Sequence, residues 1–345
     1  MSLHSEIFDQ PACLKNILNG QKESVKDLAR EIKKRDPGYV FLAARGTSDN
    51  AGRYANYLWG AYNQLPLALA TPSLFSIYGM PPRLRNAMVV GVSQSGQSPD
   101  IVGVLEEGKK QGCLTVAITN EPKSPLAQAA DQLINITAGV ELSTAATKTY
   151  TNELMAIAMI SAALSDDPQR WEELERVGDW AQQVLALDED LKQLALRYRY
   201  MQRCVVLGRG FNYCTAFEWS LKMKEMAYII AEPYSSADFL HGPVAMMETG
   251  FPVMCVLPSG AVFSTLYDTI SKIRTDSLVE LAVISDSNKA LDLAQVPIPL
   301  PKGIPEWLSP IISIIPAQLF CYHLTFHKGI NAEKPRNIQK VTETK

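Results

Sequence analysis

The sequence predicts an α/β fold built from two tandem copies of one doubly wound, parallel-sheet domain, and three observations carry that expectation. Apolar runs of strand length alternate with helical patterns of ten residues or more, as in sheets covered by crossover helices. The same order of elements recurs in the second half of the chain at nearly constant spacing. One strand-to-helix turn is rich in serine and glycine, the composition of a turn that can hold an anion.

The first copy begins after a helical pattern from Gln10 to Lys34 that ends in the charged stretch EIKKRDPG. Tyr39 to Ala44 reads as a buried strand leading into Arg45-Gly46-Thr47-Ser48, with a helix pattern from Asn50 to Tyr62. Met88 to Val92, broken only by Gly91, is the next buried strand. It runs into Ser93-Gln94-Ser95-Gly96, followed by Ser98 and Pro99. Pro99 suits a first helical position, with Ser98 as the cap before it. Leu114 to Thr119 and the shorter Leu133 to Ile136 are further strands, and Thr147 to Leu164 is a long helix rich in alanine and methionine. The charged run Ser165 to Gln193 reads as a helical linker.

The second copy follows the same order. Val205 to Gly208 is followed by Arg209-Gly210, Val253 to Leu257 by Pro258-Ser259-Gly260, and Leu281 to Ser285 repeats the strand LTVAIT. Gly46 and Gly210 are 164 residues apart, as are Gly96 and Gly260, while Thr119 and Ser285 are 166 apart. These spacings predict a helical segment over 1–36, a first domain over 37–165, a linker over 166–195, a second domain over 196–327 and a tail over 328–345.

Composition narrows the function classes. At 345 residues, 47% hydrophobic and 20% charged, the chain has the makeup of a globular protein with a full core. A net charge of −3 and scattered Lys and Arg give no polyanion-binding signature, so no nucleic-acid partner is expected. The six cysteines show no ligand spacing, and most lie in apolar runs. No signal peptide is visible, and the most apolar late run, Ile311 to Leu319, is interrupted by Pro316 and too short to span a bilayer. A cytoplasmic protein without a membrane partner is expected.

Candidate chemistry concentrates in a few places. Ser93, Gln94, Ser95 and Ser98 combine hydroxyl and amide donors, backbone N–H groups and the positive end of a helix dipole, which suits a phosphate. In the second copy the loop has become LPSGAV, so the anion site is expected in the first copy alone. In FEWSLKMKE, Glu218, Lys222 and Glu225 stand at i, i+4 and i+7 and share one helix face. A solvated face would need no function, but the large apolar neighbours predict burial, and buried carboxylates need a partner or a purpose. His241, in a Gly-Pro loop, is placed for acid/base work or for a structural role. His323 and His327, four apart on the last helix, read as packing residues, and no metal site is expected. Lys340 lies in a polar tail where the residues alone mark nothing special.

Taken together, RGTS, SQSGQSPD, AATKTYTNEL, GRG, LKMKE, HGP and PRNIQK resemble the double sugar isomerase (SIS) family, over about Tyr39 to Lys345. The arrangement is similar to the isomerase half of glutamine–fructose-6-phosphate aminotransferase and to stand-alone phosphosugar isomerases and deaminases. The resemblance implies two flavodoxin-like sheets and a sugar phosphate held by Thr47, Ser48, Ser93, Gln94, Ser95 and Ser98. Ala145, Ala146 and Thr147 would line the sugar, with an alanine where the synthase-like pattern has a serine. Glu225 would move a proton between C1 and C2, with Glu218 and Lys222 as accessory residues. His241 would open the sugar ring from a neighbouring subunit of a homodimer, and Lys340 would form a Schiff base with the open ketose. No cofactor is implied.

No glutaminase domain is apparent before Tyr39, Cys13 sits mid-segment, and the tail reads Lys340-Val341-Thr342. The expected activity is conversion of glucosamine 6-phosphate, or a close relative, to a ketose phosphate and ammonia. The alternatives are aldose–ketose isomerisation without amine chemistry, a fructosamine-phosphate deglycase, or a non-catalytic sugar-phosphate sensor.

Overall fold

A computed structural model describes residues 2–340, so Val341 and Thr342 of the tail lie outside the described residues. The chain divides into two compact units. One contains Asp9–Leu142, Ala146–Gly178 and the tail from Gln339; the other contains the residues up to Phe8, Ser143–Ala145 and Asp179–Ile338.

The first unit is built on a five-stranded parallel sheet of β1 (Tyr39–Ala43), β2 (Leu67–Leu69), β3 (Ala87–Val92), β4 (Leu114–Thr119) and β5 (Gln132–Asn135), in the order β2-β1-β3-β4-β5. β3 and β4 are buried along their whole length, as continuous apolar runs in a covered parallel sheet should be. In the register of β1 against β3, Val40 faces Met88 and Ala43 faces Gly91. The strand order reverses between β1 and β3, so the turns leaving these two strands meet the crevice where such sheets bind ligands.

Behind the sheet, the helix Lys148–Ser165 is buried at every position from Lys148 to Ala163. A helix apolar on all sides needs neighbours on all sides. Gln10–Arg35 and Gly46–Asn63 supply them, the second through Trp59 Nε1, which donates to Ile157 O at 3.1 Å, and Asn63 Nδ2, which donates to Ser161 O at 3.1 Å.

The second unit repeats the design with β6 (Arg203–Gly208), β7 (Ile230–Ser235), β8 (Pro252–Val256), β9 (Glu280–Ser285) and β10 (Val296–Pro299). Its order, β10-β9-β8-β6-β7, is that of the first sheet when counted from its own first strand. All pairings in both sheets are parallel. The edge strands β2, β7 and β10 carry no clear sequence signal. β2 has three residues, and β7 and β10 contain prolines, which an edge strand tolerates because its outer N–H groups have no ladder to join.

The helix Ser309–His327 continues through Pro316 rather than stopping there. By length and composition Glu306–His327 passes as a membrane span, yet 94% of its apolar window is buried inside the protein, as expected of a core helix. Its polar positions are satisfied internally: Asn212 Nδ2 donates to Ser309 Oγ, and Ser313 Oγ donates to Asn212 Oδ1, both at 2.7 Å. All six cysteines are free and buried.

Candidate functional site

In the first unit, the loop after β3 is held from below by β4 and by its own hydroxyls. Ser93 N donates to Ile118 O at 3.1 Å, which prolongs the ladder by one residue. The Gln94 carbonyl accepts from Asn120 N and Thr119 Oγ1, both at 3.2 Å. Ser93 Oγ accepts from Gly96 N at 3.1 Å and Ser95 Oγ from Gln97 N at 3.3 Å. Gly96 has φ of +61°, and a Cβ there would lie 2.2 Å from Ser124 Oγ, so only glycine fits the turn. Ser98 takes the cap position of the helix Pro99–Lys110, but its side chain makes no cap hydrogen bond. That hydroxyl and the Asp100 N–H therefore remain for a ligand, since Pro99 has no N–H and Ile101 N and Val102 N both donate to Ser98 O at 3.1 Å.

A second pair of residues joins this loop to the turn after β1. Arg45, at the cap of the helix Gly46–Asn63, reaches Asp100 Oδ2 through Nε at 2.9 Å and NH2 at 2.8 Å. Asp100 is fully buried in the first turn of the loop helix, and Arg45 is its charge partner. Thr47 is half-buried two residues on, and Ser48 is buried with its hydroxyl donated to Glu153 Oε1 at 2.8 Å. Ser48 can therefore meet a ligand only as an acceptor, unless it gives up Glu153.

Thr147 caps the helix Lys148–Ser165 and is buried; Ala145 is buried and Ala146 half-buried before it. Ala145 belongs with the second unit and Ala146 with the first. Glu141 turns its carboxylate onto this helix start. Oε1 accepts from Thr147 N at 2.9 Å and Thr149 N at 3.2 Å; Oε2 accepts from Thr149 Oγ1 at 2.8 Å and from Lys340 Nζ at 2.6 Å. The tail lysine is thus part of the first unit, tied to a fully buried carboxylate.

In the second unit, the helix Tyr213–Ala227 carries Glu218, Lys222 and Glu225 on one face, as the spacing predicts. Lys222 Nζ lies 3.2 Å from Glu218 Oε1 and 2.5 Å from Glu225 Oε2. Glu218 and Lys222 are buried, whereas Glu225 stays a quarter exposed and so is the member that a substrate can reach. Burial alone would push the Lys222 ammonium toward deprotonation, but the charges and hydrogen bonds of Glu218 and Glu225 outweigh it and hold it charged well above the ordinary lysine range. His241 ends the short helix Ser236–Leu240 in an exposed loop, and its ring makes no hydrogen bond or ion pair with the described residues.

His323 does not pair with His327. Its Nε2 lies 2.7 Å from Asp188 Oδ1, while the other Asp188 oxygen lies 2.9 Å from His4 Nε2, and His327 Nε2 meets Lys192 O at 2.8 Å. The three ligating atoms of His4, Asp188 and His323 lie within 4.8 Å of one another, at the separations of a hydrogen-bonded chain. Arg45, Asp100, Glu141 and Glu153 were not singled out by sequence reasoning. Their signal is faint: each is a charged residue beside a glycine- or hydroxyl-rich motif.

Two like parallel sheets in one chain, with a hydroxyl-lined loop at the crevice of the first, define a tandem doubly wound α/β protein. The SIS domain family matches residues 32–163 and 199–328, and the chain belongs to it. A glutamine–fructose-6-phosphate aminotransferase (isomerizing) of Pyrococcus horikoshii is 31% identical over 97% of this chain, which spans 56% of that protein. Among solved structures, a chain from Silicibacter pomeroyi DSS-3 provisionally named a phosphosugar isomerase is 30% identical, with TM-score 0.86 over 96% of this chain and 100% of that one. The C-terminal domain of glucosamine-fructose-6-phosphate aminotransferase from Francisella tularensis is 27% identical, with TM-score 0.87 over 96% of this chain and 98% of that one.

Proposed function

We propose that this chain converts glucosamine 6-phosphate, or a close amino-sugar relative, to a ketose phosphate and ammonia. The observation that carries the reading is Lys340: a tail lysine, paired with a buried carboxylate, in the same unit as the hydroxyl-lined loop. Its relatives are named for isomerising and amino-sugar chemistry, which agrees with that assignment.

The phosphate rests on Ser93, Gln94, Ser95 and Ser98 with Thr47 and Ser48 beside them, and Ala145, Ala146 and Thr147 line the sugar. His241 is lent by a second copy of the chain and opens the ring; its exposure and its lack of a hydrogen-bond partner among the described residues suit that role. In the open aldehyde, Glu225 moves the C2 proton to C1 while a second proton passes from nitrogen to the C1 oxygen. The product is a ketimine at C2. Lys340 attacks C2, the amine leaves as ammonia, and water then releases the ketose phosphate from Lys340. One water is consumed overall. Lys222, held charged, keeps Glu225 aimed. Six buried free thiols fit a reducing, cytoplasmic setting.

The test is ammonia release coupled to glutamate dehydrogenase, with glucosamine 6-phosphate and its galacto and N-acetyl relatives. Lys340→Ala and Glu225→Gln should each lower turnover by about 10²–10⁴-fold. Aldose–ketose interconversion without ammonia would leave a plain isomerase. Tight sugar-phosphate binding without turnover of any kind would leave a sensor.

A further inference from the structure

The geometry points to Glu141 as the fixed counter-ion that holds Lys340 for attack and carries its positive charge through the reaction. This inference rests on the proposed role of Lys340. All the acceptor positions of the Glu141 carboxylate are in use: two backbone N–H groups, the Thr149 hydroxyl and the Lys340 ammonium. Three of these four donors come from the cap residue Thr147 and the first turn of the helix Lys148–Ser165, whose dipole favours an anion at that spot. The carboxylate is fully buried, so its place is set by the helix rather than by the tail. Lys340, by contrast, is a quarter exposed near the end of the described chain and has little else to fix it.

Charge balance gives the pair a chemical reason. The Lys340 ammonium passes a proton to the ketimine nitrogen, the freed amine adds to C2, and the C2–N bond to the substrate nitrogen then breaks with its electron pair on the departing ammonia. Ammonium and ketimine thus become a lysine iminium and free ammonia, and the positive charge returns to Nζ. With a ketose, the same ammonium and the carbonyl become the iminium and water. A carboxylate 2.6 Å from Nζ therefore faces a cation at the start and at the intermediate, and it never has to move. The other charged pair at this helix start, Lys148 Nζ with Asp9 Oδ2 at 3.0 Å, is closed on itself and leaves Glu141 to Lys340.

The experiment is reductive trapping. Full-length protein is incubated with fructose 6-phosphate and cyanoborohydride, and the adduct on Lys340 is read by intact and peptide mass spectrometry. The wild type should give an adduct that Lys340→Ala lacks. Glu141→Gln, which keeps an oxygen for the helix N–H groups, should trap at least ten-fold more slowly while its calorimetric Kd for the sugar phosphate stays within two-fold. Glu141→Asp should recover part of the rate. Without sugar, Lys340 in Glu141→Gln should be acetylated several-fold faster than in the wild type, because the clamp is gone, at unchanged Tm. Equal trapping by Glu141→Gln and the wild type would overturn the inference. Absence of any adduct in the wild type would instead sink the Schiff-base reading, and unchanged acetylation would then sink the counter-ion as well.

Discussion

The loops after β3 and β8 occupy the same place in two like sheets, yet different groups close their turns. In the first, the loop N–H groups of Gly96 and Gln97 are given to the loop's own serines, and the Ser98 hydroxyl is left off the helix. In the second, the unit's own carboxylates fill the turn: Ser259 N donates to Asp286 Oδ1 at 2.6 Å and Ala261 N to Glu306 Oε2 at 2.7 Å. Glu306 sits so close that a Cβ on Gly260 would lie 2.1 Å from its Cδ. A turn that binds an internal carboxylate has the same physics as one that binds a phosphate, but it is no longer for hire. One copy closes its turn with serine hydroxyls and leaves the Ser98 hydroxyl off its helix, whereas the other closes its turn with carboxylates.

The largest expected effect separates the two lysines that define the units. Lys222→Met leaves two carboxylates without their buried cation and should cost about 3–5 kcal/mol of stability in chemical denaturation. Lys340→Met removes a quarter-exposed cation from a buried carboxylate that keeps three other donors, and should cost less, about 1–2 kcal/mol, while lowering turnover by about 10²–10⁴-fold. Equal costs would erase the contrast between a structural and a chemical lysine.

Next come the loops themselves. Ser93→Ala and Ser95→Ala should each weaken sugar-phosphate binding by about 1.5–3 kcal/mol, the usual scale for hydrogen bonds to charged groups, or roughly ten- to a hundred-fold in calorimetric Kd. Ser259→Ala should leave Kd unchanged. Glu306→Gln should then cost about 1 kcal/mol in Tm-derived stability through a weaker bond to Ala261 N, without changing sugar-phosphate affinity.

The smallest effect is a pH slope. Burial lowers the His323 pKa, which the contact with Asp188 opposes without overcoming. A histidine whose folded pKa lies below its unfolded value contributes its full stability above about pH 6.5 and loses it as pH falls through the folded value. Denaturation midpoints should therefore drop on acidification below that point, and less steeply in His323→Asn. Identical slopes would remove His323 from the account.

How much of this was legible beforehand follows from where each signal is stored. The duplicated order, the loop Ser93–Ser98 and the triad Glu218, Lys222, Glu225 are local patterns, set by strand length, turn chemistry and helical period. The strands Leu67–Leu69, Ile230–Ser235 and Val296–Pro299 were not, because short and proline-bearing edges borrow their shape from a neighbour. Glu141 and Asp100 were invisible for a related reason. A single acid has no period, and its partners, Lys340 and Arg45, lie 199 and 55 residues away. Helical spacing correctly put His323 and His327 on one helix, but Asp188, 135 residues off, claimed the first.

The most direct test is calorimetric titration of the full chain with glucosamine 6-phosphate, counting sites. The account predicts one site per chain, lost in the Ser93→Ala/Ser95→Ala double variant and intact in Ser259→Ala. Two sites per chain, or one that survives the loss of both serines, would contradict it.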